Sequence, residues 1–190
     1  MSNGTKVKKR DGRIEPLDLD KMHLMVDEAC QGLAGVSASQ VEMKSGIQFY
    51  DGITTQEIQD ILIRAASDLI DLDHPNYQFV AARLLLFALR KQLYGKMREL
   101  PNLENHIMSC TAKDVYDRDI FTKYSKEEIA KANGFIDHDR DFLFTYAGLR
   151  QVADKYLVQD RSSGGVYETP QFMYIMICLL YTSPSPRDRG

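Results

Sequence analysis

The side chains that could do chemistry are concentrated in one short stretch, Val7 to Lys21, VKKRDGRIEPLDLDK. Lys6, Lys8, Lys9, Arg10 and Arg13 stand there against a single nearby acid, Asp11. Glu15 and Lys21 follow. Clustered lysine and arginine are the donors that phosphate groups require. Glu15 is suited to accept a hydrogen bond from the exocyclic amino group of a base. Two residues further along fit the same chemistry. Thr55 falls at a predicted helix N-terminus, where free amides and the helix dipole favour anions. Lys91 lies near the end of a later helix. Each has a plainer reading: a solvated basic face for KKR, a cap beside Thr54 for Thr55, a helix-end cation for Lys91. Phe49 and Phe87 read as core residues before they read as walls of an apolar slot. No GxxxxGK[ST] phosphate loop occurs.

The bulk properties narrow the function classes. The net charge is −3, which gives no global case for a nucleic-acid or membrane partner, so an anion site must be local. The three cysteines, Cys30, Cys110 and Cys178, form no CxxC, so neither a zinc ribbon nor a redox pair is encoded. No metal-ligand set is expected. Cys30 falls on an apolar helix face and reads as an inert buried thiol. The first residues are polar and charged, unlike a signal peptide. The longest apolar run, Phe172 to Tyr181, is too short to span a bilayer. These features are those of a cytoplasmic protein.

The elements that must position the basic stretch follow from periodicity. Thr5–Arg10 and Arg13–Leu17 flank Asp11-Gly12 and read as two short strands around a tight turn. Asp18 or Asp20 then caps a helix with apolar residues Met22, Met25, Val26, Ala29, Cys30 and Leu33, the series of a one-sided helix. Ser37 or Ser39 starts a second helix running to about Gln48, and Tyr50-Asp51-Gly52 breaks the chain. Thr54 and Glu57 form a capping-box signature. The helix it opens carries Ile58, Ile61, Leu62, Ala65, Ala66 and Leu69 on one side. A fourth helix, about Asn76 to Gly95, is apolar nearly all round and must be central.

These elements define an expected first domain at 1–95, a small hairpin lid over four helices. Residues 96–178 form a second, mostly helical region. Ser125 and Glu128 signal another capping box, Asp141–Tyr156 is helical by periodicity, and Tyr156–Glu168 reads as a β-hairpin. Thr169-Pro170 opens a last helix. Residues 179–190 drop abruptly into a Pro/Ser/Arg tail, which reads as non-native sequence replacing a longer native chain.

The order V-x-K-R-D-G-x-x-E…K, the Phe-Tyr-Asp-Gly-Ile-x-Thr segment and the A-x-R-L-x-x-F-x-L-R-K helix resemble an ATP-cone. With FIDHDRD (Phe135–Asp141), KYLVQDR and QFMYI, the chain resembles the large (α) subunit of class I ribonucleotide reductases over about 1–178. The fold class implied is mainly α: an ATP-cone, with its short β-hairpin lid over a four-helix bundle, followed by a mostly helical segment with one β-hairpin. The resemblance implies that Lys9, Arg10, Lys21, Thr55 and Lys91 hold phosphates. Glu15 and the backbone through Pro16, Leu17, Asp18, Leu19, Asp20 and Lys21 frame base and ribose. Val7, Leu17, Phe49, Ile58 and Phe87 line the slot. Asp18 stands where relatives often have Asn, and Gln59 and Ala88 where they often have His, which bears on ATP-versus-dATP selectivity. The ligands implied are the allosteric effectors ATP and dATP, with Mg²⁺ and no covalent cofactor. The partners implied are the reductase small (β) subunit and a second large subunit. No residue here is expected to be catalytic, since the radical chemistry belongs to a barrel beyond this sequence, and the chain alone is expected to be inactive. The competing classes are an ATP-cone transcriptional regulator, which would need a CxxC zinc ribbon, and a helical interaction module without ligand.

Overall fold

The computed structural model describes residues 5–9, 11–46, 48–160 and 162–181. They separate into two compact units. The first holds the described residues up to Ala88 together with Phe142–Arg150. The second holds Leu89–Asp141 and the described residues from Gln151 onward.

The first unit begins with β1 (Lys6–Lys8) and β2 (Ile14–Pro16), paired antiparallel. Gly12 takes φ +86° at the turn, the left-handed value that a side chain disfavours. The Gly12 amide donates to Lys9 O at 3.0 Å, and the Lys9 amide donates to Arg13 O at 2.8 Å. A third strand, β3 (Ile53–Thr54), pairs parallel with β1 and makes a sheet of order β2-β1-β3. A strand of two residues carries no periodicity that would mark it in the sequence.

Four helices complete the unit's main body. In α1 (Leu19–Cys30) the buried positions are Met22, Val26 and Ala29, the centre of the expected stripe. The second helix, α2 (Ala38–Gly46), buries Val41 and Ser45. In α3 (Thr55–Ser67) both halves of the Thr54/Glu57 capping box form. Its inner face is broader than the pattern suggested and takes in Gln59 and Ile63 as well as Ile58, Leu62, Ala65 and Ala66. The fourth, α4 (Tyr77–Tyr94), runs on beyond the first unit. From Val80 to Arg90 all its residues except Arg83 are buried, as an all-round apolar helix must be. Arg83 is half-buried and closes the end of α1, donating to Ala29 O at 3.1 Å and Gln31 O at 2.7 Å.

The second unit packs α5 (Leu103–Ala112), α6 (Ile120–Lys123), α7 (Lys126–Asn133) and α9 (Pro170–Tyr181) around Leu103, Ile107, Ile120, Ile129, Phe172, Met176 and Leu179. The Ser125/Glu128 capping box forms as expected. The helix read over Asp141–Tyr156 is two pieces, a 3₁₀ turn at His138–Leu143 and α8 (Tyr146–Lys155). The hairpin after it carries a single bridge, Gln159 to Val166, with Gly164 at φ +70°. Arg90, in the last turns of α4, is buried. It donates to His138 O at 2.6 Å and lies 3.4 Å from the Asp141 carboxylate.

A polar cluster sits inside this unit. His106 stacks on Phe172 with ring centroids 4.0 Å apart and lies 3.1 Å from the Tyr116 hydroxyl, which donates to Glu168. Burial, then the charge of His138, pushes the His106 imidazole down to about 4. Burial, then Arg90, does the same to His138. Asp141 is pushed up to about 6 by burial, against the pull of Arg90. A depressed histidine gives stability that is complete above pH 6.5 and is lost as the pH falls toward 4. A raised aspartate gives stability that is complete below pH 4 and is lost as the pH rises through 6. Burial also raises the Glu168 carboxyl, so two histidines oppose two acids, and it is the His106 and His138 contribution that lowers the urea midpoint as the pH falls from 6.5 to 4. His106→Gln should reduce that slope; an unchanged slope would mean His106 does not titrate with unfolding.

Candidate functional site

Strand alternation sorts the basic run. Residues paired across strands share a face, and faces alternate along a strand. Val7 is opposite Glu15 on one side and Ile53 on the other, and Val7 and Ile53 are 2% and 0% exposed. That face points inward. Lys6, Lys8, Ile14 and Pro16 occupy the other face and are exposed. Lys9 and Arg13 pair just beyond the strands, at the turn end, where Arg13 is exposed. Lys9 is half-buried, with Nζ 3.3 Å from Glu15 Oε2. Arg13 reaches Glu15 Oε1 at 3.2 Å and Asp11 Oδ2 at 2.7 Å. The Arg13 guanidinium holds the Asp11 carboxyl below its ordinary range. Arg10 lies outside the described residues.

The parallel pairing brings the start of α3 to the same place. Lys8 is in register with Thr54, so Lys9 and Thr55 leave their strands at the same end. Thr55 is the first residue of α3 and is half-buried. The cap is braced from three sides. Glu57 accepts from the Thr54 amide at 2.8 Å, from the Thr54 hydroxyl at 2.7 Å and from the Tyr50 hydroxyl at 2.8 Å. The Thr54 amide and hydroxyl, then Tyr50, hold the Glu57 carboxyl below its ordinary range. Ile58 and Gln59, one turn further on, are buried.

At the other end of the hairpin, Asp18 caps α1, accepting from the Lys21 amide at 2.9 Å. Its carboxylate therefore has a structural task that Asn would also perform. Pro16, Leu19, Asp20 and Lys21 are exposed around it, and Leu17 is half-buried. Phe87 is 1% exposed, edge-on to Phe142 at 5.9 Å, so it is a core residue of the first unit. Phe49 is half-buried. Lys91 lies one turn past Phe87 on α4, in the part of that helix belonging to the second unit.

Two residues outside the site set that the resemblance implies hold this arrangement. Asp51 accepts from the Lys6 amide at 2.8 Å, and Gly52, at φ +86°, donates to Lys6 O at 2.9 Å. The legible signal was Asp-Gly followed by the β-branched pair Ile53-Thr54, a turn leading into a short strand. Arg13 is the other; its spacing of two from both Asp11 and Glu15 was visible, but its partners were not. Elsewhere, burial pushes the Cys30 and Cys110 thiols each up to about 11, which makes them poor nucleophiles. Among the described residues no group of three or more His, Cys, Asp or Glu gathers as a metal site, and no helix is long and apolar enough to cross a membrane.

Comparison with known proteins shows what this geometry is similar to. Residues 5–92 match the ATP cone domain model. The chain is 46% identical over 188 residues to ribonucleoside-diphosphate reductase 1 subunit alpha of Escherichia coli, covering 99% of this chain and 25% of the relative. It is 44% identical to the alpha subunit of Haemophilus influenzae over 99% of this chain and 25% of that protein. It is 40% identical to that of phage T4 over 95% and 24%. The chain thus spans about a quarter of the length of the curated relatives it matches.

The bracing by Asp51 is testable. Asp51→Ala should speed hydrogen exchange at the Lys6 and Gly52 amides by at least about tenfold, since local opening sets exchange. Amides in the middle of α1 should be unaffected. Equal acceleration in α1 would show that Asp51 supports the whole unit rather than the attachment of the hairpin.

Proposed function

We propose that this chain, homologous to the N-terminal region of reductase alpha subunits, is an allosteric nucleotide-binding region that senses ATP and dATP. The observation that carries this is the register of β1 with β3. It sets Lys9 and the start of α3 at one end of an apolar floor made by Val7 and Ile53. A nucleotide needs a cation and a helix start for its phosphates, with apolar residues beside polar groups for the base.

In this reading Lys9, Arg10, Lys21 and Thr55 take the phosphates. Glu15 and the Pro16–Lys21 backbone meet the base and ribose. Leu17, Phe49 and Ile58 extend the apolar wall. Mg²⁺ fits as a companion of the phosphates rather than as a protein-bound ion, because it retains waters and leans on phosphate oxygens. ATP and dATP differ by one hydroxyl, so discrimination requires two states that contact the ligands differently. The whole protein would reduce ribonucleoside diphosphates to deoxyribonucleotides in the cytoplasm. Nucleotide state here would act through assembly with the small (β) subunit and a second large subunit.

Calorimetric titration of the full chain with Mg·ATP and Mg·dATP tests the reading. Binding in the micromolar range is expected, with Lys9→Ala weakening it by roughly tenfold or more, as loss of a charge-assisted phosphate contact requires. Absence of binding by a chain whose circular dichroism shows it folded would overturn the proposal and leave a helical interaction module.

A further inference from the structure

Two cations at the turn end of the hairpin converge on one carboxylate. Lys9 Nζ is 3.3 Å from one oxygen of Glu15, and Arg13 is 3.2 Å from the other. Each oxygen therefore has its own cation, an arrangement that suits a phosphate's two oxygens equally well. Arg13 is also shared with Asp11, so its charge is divided between two acids. From this geometry we infer that Lys9 and Arg13 form an anion clamp whose built-in occupant is Glu15, and that a phosphate group enters by displacing that carboxylate. Arg13 is then a phosphate-binding residue, and Asp11 and Glu15 are internal competitors that lower the clamp's affinity for anions. The inference deepens the nucleotide reading and rests on it for the identity of the physiological ligand, but the clamp itself can be probed with inorganic triphosphate.

The strand register supplies the physical basis. Arg13 shares the face of Val7, Lys9 and Glu15, while Lys6 and Lys8 point to the opposite, exposed face. Proximity in sequence would make Lys8 the natural partner of Lys9; alternation replaces it with Arg13 from across the hairpin. The competing ion pairs are well exposed: the Arg13 side chain is 70% accessible and that of Glu15 40%. Exposed pairs of this kind are weak and salt-screened, so a multiply charged phosphate can displace them.

The test is calorimetric titration of the full chain, of Lys9→Ala and of four further variants with inorganic triphosphate and, separately, with Mg·ATP. Arg13→Ala should weaken triphosphate binding by about three- to tenfold, as loss of a partly exposed charge-assisted bond does. Arg13→Lys should recover part of it. Glu15→Gln and Asp11→Asn should each strengthen triphosphate binding by about two- to fivefold, the range for removing an exposed competing pair. A purely structural role for Arg13 predicts the opposite sign for Asp11→Asn, because that change would remove a brace. Unchanged triphosphate affinity in Arg13→Ala, or weaker affinity in both acid variants, would overturn the clamp. ATP binding that depends on Lys9 but not Arg13 would overturn the clamp and leave the nucleotide reading standing. Triphosphate binding that depends on Arg13, without ATP binding, would uphold the clamp and remove that reading. A chain that binds neither would overturn both.

Discussion

A strand of three residues, Lys6–Lys8, is hydrogen-bonded on both edges, and the proposed chemistry depends on that. An isolated two-stranded hairpin is marginal in water, and this one has only three residues in each strand. Parallel pairing to Ile53–Thr54 and the Asp51 bond to the Lys6 amide convert it from a loose flap into part of a sheet. The same pairing buries Val7 against Ile53 and fixes which lysines face inward. Without it, a run of basic residues would be no more than a solvated surface.

The attachment passes directly into a helix start. β3 ends at Thr54, which is also the N-cap of α3, so the sheet and the helix N-terminus share a residue. Glu57 closes the capping box and accepts from Tyr50 before the turn, so the turn, strand and helix are bound by one carboxylate. A ligand that pulls on Lys9 pulls on the edge of this unit. Its response would be transmitted through α3 to the core residues Leu62, Ala65 and Ala66 rather than absorbed by a floppy loop. The electrostatic contacts around Glu15 are of a different kind. They are exposed and individually weak, which suits groups that must exchange partners.

Much of this was legible in the chain. Asp-Gly between two short alternating runs encoded the hairpin, Thr54 and Glu57 encoded the start of α3, and the all-round apolar series of α4 encoded its burial. These are local signals. What escaped was long-range. Ile53-Thr54 is too short to show a period, and its partner lies more than forty residues away in sequence. The burial of Arg90 was equally hidden, because its partners, His138 and Asp141, come from a separate 3₁₀ turn. Within the basic run, composition alone could not separate Lys9 from Lys8. The V-x-K-R-D-G resemblance singles out Lys9, and the register of the sheet supplies the physical reason and brings in Arg13, which no motif marks. The binding residues beyond these rest on resemblance and on the proposal built from it.

The most direct test of the central claim is covalent mapping of the nucleotide. The full chain would be irradiated with 8-azido-ATP and the labelled peptides identified, with and without excess ATP. The account predicts ATP-protectable label within Val7–Lys21 or Phe49–Gln59, the segments joined by the β1–β3 pairing. Protectable label confined to residues 96–181 would contradict it, because the site would then lie outside the hairpin and the start of α3.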